Sequence, residues 1–140
     1  MRWGHAAATL APGGSLALFW NFDRIVDGTV QDEVTGAHRA LTPHIEWDTA
    51  AVSEDGLLGR WPATEIAGLP AFTGLEARLY RWERVLSRRQ YLQYLATHSL
   101  YLLLEAPVRD ELFGRIASVL PDRVPRAEDT VLYLARRAPA

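Results

Sequence analysis

The stretch LAPGGSLALFWN, Leu10 to Asn21, carries three signals in twelve residues. The alanines before it, Ala6, Ala7 and Ala8, are strong helix formers, and a helix is predicted over 2–11. Pro12 cannot continue that helix, and Gly13–Gly14 supply the left-handed backbone that a helix C-terminus uses. SLALFW then reads as a strand, Leu16 to Trp20. It is apolar at nearly every position, which predicts cover on both faces, as in a parallel sheet flanked by helices. A helix feeding a strand in this way is expected in the middle of an α/β domain rather than at its beginning.

Beyond Asn21, Asp23 to Gly28 reads as a polar turn. Thr29 with Asp32 three residues on predicts a capping box. Val30, Val34, Ala37 and Leu41 then fall at helical spacing, and Pro43 ends the run. Residues 44–70 show no period; a loop of this length is functional, partly helical or mobile. Leu75, Ala77 and Leu79 alternate with Glu76, Arg78 and Tyr80, the period of a half-buried strand, which Trp82 and Val85 extend. Ser87 and Gln90 form a second capping box, opening a helix through about Leu104 whose LYLLL segment, Leu100 to Leu104, reads as core. Pro107 suits the first turn of a further helix with an apolar stripe at Val108, Leu112, Ile116 and Val119. Pro121 and Pro125 bracket a loop. TVLYLAR, Thr130 to Arg136, is a last strand, apolar on both faces and therefore central. Helices alternating with strands predict one α/β domain over residues 1–140, with about three strands and flanking helices.

Composition excludes several function classes. The chain has 140 residues, a net charge of −2 and no cysteine, so disulfides, thiolate nucleophiles and Cys-type zinc sites are ruled out. The basic residues are dispersed, with Arg88-Arg89 and Arg136-Arg137 only as pairs, giving no electrostatic basis for nucleic acid or an anionic membrane. No run reaches the ~20 apolar residues that span a bilayer, and no targeting segment is visible. A reducing cytoplasm fits the cysteine count. The four histidines, His5, His38, His44 and His98, lack the i, i+4 spacing of a helical metal pair, so no metal is expected. Ser99 beside His98 points to a different helix face, and no G-x-S-x-G elbow exists, which excludes a hydrolase triad.

Three passages resemble the C-terminal half of class I S-adenosylmethionine (SAM)-dependent methyltransferases of the small-molecule type. AAATLAPGGSLALFWN resembles the helix, Leu-x-Pro-Gly-Gly turn and fifth strand of that family. VLSRRQYLQYLATHSLYLLLEAPVRDELFGRIASVL resembles the helical segment between its last two strands, with a Tyr-x-x-x-x-x-Thr-x-Ser-x-Tyr pattern. DTVLYLARRA resembles its closing antiparallel strand. The resemblance implies a partial Rossmann-like methyltransferase sheet holding strands five, six and seven of seven, the last antiparallel.

The family builds its SAM site in the other half, on a glycine loop after the first strand and an acidic residue after the second. Neither APGGS, which precedes a strand, nor DGLLGR, which follows no apolar strand, supplies that loop. SAM is therefore the cofactor of the complete family fold, and this chain alone is expected not to bind it. Methyl transfer depends on holding acceptor and cofactor together, so the chain is expected to be inactive unless the other half joins it in cis or in trans. Catalytic residues stay unassigned.

Ligands of open α/β sheets sit beyond the carboxyl ends of strands, which makes Trp20 and Asn21 substrate-side candidates, with capping of the next turn the alternative for Asn21. Trp47, Tyr91, His98 and Tyr101 are candidates for the wall of a small-molecule pocket, with ordinary core packing the alternative. The strand Leu16 to Trp20 would lack a neighbour in such a fragment, and an unpaired apolar edge predicts a homo-oligomer or a partner chain there. A binding or oligomerisation module without catalysis is the alternative function.

Overall fold

The computed structural model describes residues 2–47 and 49–139; Asp48, in the long loop, lies outside them. The element order is α1 (Arg2–Thr9), β1 (Ser15–Ile25), α2 (Gly28–Leu41), a 3-10 turn (Leu57–Gly59), α3 (Ala63–Ala67), β2 (Phe72–Ser87), α4 (Arg88–Leu95), α5 (Ser99–Leu102), α6 (Ala106–Val119) and β3 (Arg123–Arg137). The three strands form one sheet in the order β1-β3-β2. Main-chain bonds fix the directions. The start of β1 meets the end of β3 through Arg137 N–H to Gly14 O, and the residue after β1 meets the start of β3 through Val26 N–H to Pro125 O. The start of β2 meets the end of β3 through Ala138 N–H to Ala71 O, and Arg88 N–H donates to Asp122 O at the other end. β3 is thus central and antiparallel to both neighbours, while β1 and β2 run the same way. The class is α/β, with an antiparallel rather than parallel sheet.

The Pro12-Gly13-Gly14 turn is a local necessity. Gly13 sits at φ 76°, a backbone that L side chains avoid. A Cβ at Gly14 would lie 2.8 Å from Ala11 O.

Several expectations are corrected. β1 is not covered on both faces: Leu16, Leu18 and Trp20 are half-buried, whereas Ala17, Phe19 and Asn21 are exposed. An antiparallel sheet tolerates one open face, which the apolar composition of SLALFW concealed. The strand also continues through Asp23, and the helix cap is Asp27, whose Oδ1 accepts the N–H groups of Thr29 and Val30, in place of a Thr29–Asp32 box. The helix from Ser87 breaks after Leu95. Thr97 Oγ1 donates to Tyr94 O, and His98 takes an extended backbone before α5. Within LYLLL only Tyr101 is fully buried; Leu102 and Leu103 are 63% and 82% exposed, so the segment is not core. Pro125 lies inside β3 rather than in a loop, near its start, where it contributes only a carbonyl. The Ser87–Gln90 box, Pro107 in the first turn of α6, and the inward Leu112 and Ile116 are as expected.

The chain folds as two compact units: Met1–Phe22, Ala51–Arg81 and Asp129–Ala140 form the first, and Asp23–Ala50 and Trp82–Glu128 the second. The first unit buries Ala7, Ile66, Phe72 and Ala135 in one cluster and Val52, Leu57, Ala63, Val131 and Tyr133 in another. The second buries Ile25, Val34, Tyr91, Leu95, Tyr101, Leu112, Ile116, Leu120 and Val124. No helix among the described residues is long and apolar enough to cross a membrane.

Candidate functional site

In the second unit, four of the predicted site residues belong to one run of touching rings. Trp47 lies 5.6 Å from Tyr101, and Tyr101 lies 6.2 Å from His98, centroid to centroid. His98 packs edge-on to Tyr94 at 4.6 Å, and Tyr94 lies 6.4 Å from Tyr91. Tyr91 and Tyr94, three apart on α4, share a face of that helix, and His98 and Tyr101 join them from the break and from α5. His38 joins from α2, 3.9 Å from Trp47.

His38 is the hinge of this wall. Its Nδ1 is 2.8 Å from Val34 O, a carbonyl that only accepts, so Nδ1 carries the proton. Nε2 therefore accepts from Tyr101 Oη, also at 2.8 Å. Burial pushes the His38 pKa below its ordinary value, against the opposing pull of the Val34 carbonyl. Burial likewise raises the Tyr101 and Tyr91 phenols above theirs. Trp47 Nε1 donates to Thr42 Oγ1 at 3.3 Å, which ties the loop after α2 to the helix end.

Beside the rings lies a charged node. Tyr94 Oη donates to Asp23 Oδ1 at 2.8 Å, and burial, followed by the Asp23 charge, pushes the phenol up to about 12. Arg126, fully buried, places Nη2 2.7 Å from Asp23 Oδ2 and Nη1 3.0 Å from Glu128 Oε1. Arg84 Nε reaches the same Glu128 oxygen at 2.9 Å. The Arg126 guanidinium also lies over the Tyr94 ring, 3.9 Å from its centroid, a cation–π contact. These Arg126 contacts are ionic; none of its three nitrogens makes a well-directed hydrogen bond. Burial opposes its charge, but Asp23, Tyr94 and Glu128 outweigh burial and hold the guanidinium pKa above its usual value. The node is electrically balanced, two guanidinium groups against two carboxylates. Its phenol proton is already given to Asp23, and it carries no net charge for an ionic ligand. Of the rings, Tyr91 and Tyr101 are buried in the core of the unit, the packing alternative, while Trp47, Tyr94 and His98 are half-buried.

The remaining two predicted residues are in the first unit. Trp20 packs 5.3 Å from Trp61 and 6.2 Å from Tyr133. Asn21 is exposed and its Oδ1 accepts from Thr130 Oγ1 at 2.8 Å, so it joins β1 to β3 and caps no turn. An open hollow on this unit, lined by Glu76, Arg78 and Arg136, has its charges engaged internally, with Arg78 Nη2 3.2 Å from Glu76 Oε2.

Sequence reasoning missed Asp23, Tyr94, Arg126 and Glu128 as members of a site. Tyr94 was within reach, since it shares the helical spacing of Tyr91 and His98. Arg126 and Glu128 were hidden because they fall between the loop read at Pro121–Pro125 and the strand read from Thr130, whereas β3 begins at Arg123. Among the described residues no group of three His, Cys, Asp or Glu is placed to hold a metal ion. Comparison with protein-family models gives no match. No curated protein matches either.

Proposed function

We propose that this chain is the C-terminal, substrate-side part of a class I SAM-dependent methyltransferase acting on a small molecule, working only when joined in cis or in trans to a part that holds SAM. The observation that carries this is the sheet: two like-directed strands with the last strand of the chain running back between them, and helices α2 to α6 in the connections. A Rossmann-like methyltransferase sheet ending in an antiparallel strand is the finer description we attach to it. The half-buried rings of Trp47, Tyr94 and His98, backed by the buried Tyr91 and Tyr101, would suit an apolar or aromatic acceptor.

The residues present do not fit SAM. The positive-φ glycines are Gly13, Gly56 and Gly74. Gly13 precedes β1, Gly56 opens a 3-10 turn, and Gly74 lies within β2. None follows a strand and opens a long helix, where a backbone cradle for a nucleotide-like cofactor forms. The chain's role would be to bind and orient the acceptor. The test is to fuse this chain behind a family half carrying strands one to four and the G-x-G-x-G loop. The fusion should bind SAM and gain thermal stability from it. β1 already pairs with β3 on one side, so a well-folded fusion in which the outward-facing amides of β1 stay unprotected in hydrogen exchange would contradict the proposal.

The β1 edge favours a second function, an interaction module. No strand among the described residues pairs with its outer side. Ser15 to Phe22 carries no charge or proline, the usual protections of an edge, and Phe19 is 66% exposed. Sedimentation should then show association that Phe19→Lys weakens. A clean monomer at high concentration would count against this second function.

A further inference from the structure

The first unit carries an aromatic surface that the function above does not use. Trp3, on α1, lies 6.5 Å from Trp61, and Trp61 lies 5.3 Å from Trp20. Trp61 is about half exposed, so this indole cluster reaches solvent. Two further features give it a chemical preference. The Trp3 indole N–H donates to the Glu65 carboxylate, which puts a negative group at the cluster. The Arg2 guanidinium rests over two of the rings, 5.9 Å from the Trp3 centroid and 5.7 Å from that of Trp61.

Indole faces are negative and attract cations within about 6 Å, most strongly where the cation is large and weakly hydrated. A carboxylate beside them adds to that preference and disfavours anions. The guanidinium already seated there comes from an exposed residue in the first turn of α1. We propose that Trp3, Trp61 and Glu65 form a recognition site for small organic cations of the quaternary-ammonium class, and that Arg2 is an internal occupant which such a ligand displaces. The site stands independently of the methyltransferase assignment, because it lies wholly in the first unit and involves no methyl transfer.

The test follows indole N–H resonances of the ¹⁵N-labelled chain during titration with choline chloride, at ionic strength held constant with sodium chloride. The controls are 3,3-dimethylbutanol, which has the shape of choline without its charge, and sodium acetate. Choline should shift the Trp3 and Trp61 resonances saturably, and neither control should. Arg2→Ala removes the competitor and should lower the choline midpoint roughly two- to fivefold, the equivalent of one exposed cation–π contact. Trp61→Ala should abolish saturation, and Glu65→Gln should raise the midpoint. Equal shifts with the neutral isostere, or no saturable shift even in Arg2→Ala, would overturn the proposal. Arg2 is exposed at a helix start, so its replacement leaves the fold intact and keeps the test decisive.

Discussion

Replacing Arg126 with Met should be among the most damaging single changes in this chain. The guanidinium lies 2.7 Å from Asp23 and 3.0 Å from Glu128. At an effective dielectric of about 20, those separations correspond to roughly 6 kcal/mol of gross attraction each, most of it offset by the cost of desolvating the three groups. The net value of the intact node is therefore small. The loss of one member is not, because the carboxylates stay behind. Breaking a buried pair from one side costs about 3–5 kcal/mol. The lower end applies here, since Glu128 keeps Arg84 at 2.9 Å and the Asp23 side chain retains 19% exposure. Arg126→Met should thus cost about 3 kcal/mol in urea unfolding, or roughly 10 °C in Tm for a chain of this size. Adding Asp23→Asn should return at least half of the loss, because Asn still accepts from the Tyr94 hydroxyl but brings no stranded charge. An Arg126→Met variant within about 1 kcal/mol of the parent, or no rescue by Asp23→Asn, would refute the description of this node as a mutually dependent set.

Other outcomes follow from single features. Asp129, almost fully buried, accepts Val52 N–H at 2.9 Å, while Arg81 donates to Val52 O at 2.8 Å, so the two side chains grip both main-chain groups of one residue. Asp129→Ala strands that N–H at a cost of about 1–3 kcal/mol, and hydrogen exchange at Val52 should accelerate. His38 is held below its ordinary pKa of 6.5, so in acid the unfolded chain binds a proton that the folded chain refuses. Its stability contribution is complete above pH 6.5 and shrinks as pH falls towards the folded value. Urea titrations from pH 8 to 5 should show that decline, at most about 1.4 kcal/mol per pH unit, and His38→Gln should flatten it. Ser87→Ala removes the acceptor of Gln90 N–H and half of a reciprocal box, and should cost about 1 kcal/mol by thermal denaturation.

What was legible in the sequence was decided over short distances. The Pro12-Gly13-Gly14 turn, the Leu75–Leu79 alternation, the Ser87–Gln90 box and Pro107 each specify their local backbone within four residues. The central position of β3 was legible too, because Val131, Tyr133 and Ala135 on one side and Leu132 and Leu134 on the other leave no polar face. The break at Ala96–His98 was not, since an unbroken helical period runs through it and the competition comes from Thr97 bonding back to Tyr94. The open face of β1 was obscured by its own composition: Phe19 is as apolar as Trp20, and alternation cannot be read where both partners are apolar. Four of the six site candidates fall in one run of rings, but Tyr91 and His98 meet it from opposite sides of the break at Ala96–His98 rather than along one helix. The charged node was illegible for a simple reason. Asp23, Tyr94 and Arg126 come together only through the tertiary fold, across 71 residues between the first two alone.

In the proposed function these residues hold the acceptor and rely on other residues to hold SAM. Calorimetric titration of the isolated chain with SAM tests it most directly. No heat of binding is expected at micromolar protein; a saturable, stoichiometric isotherm would mean that this chain holds SAM by itself.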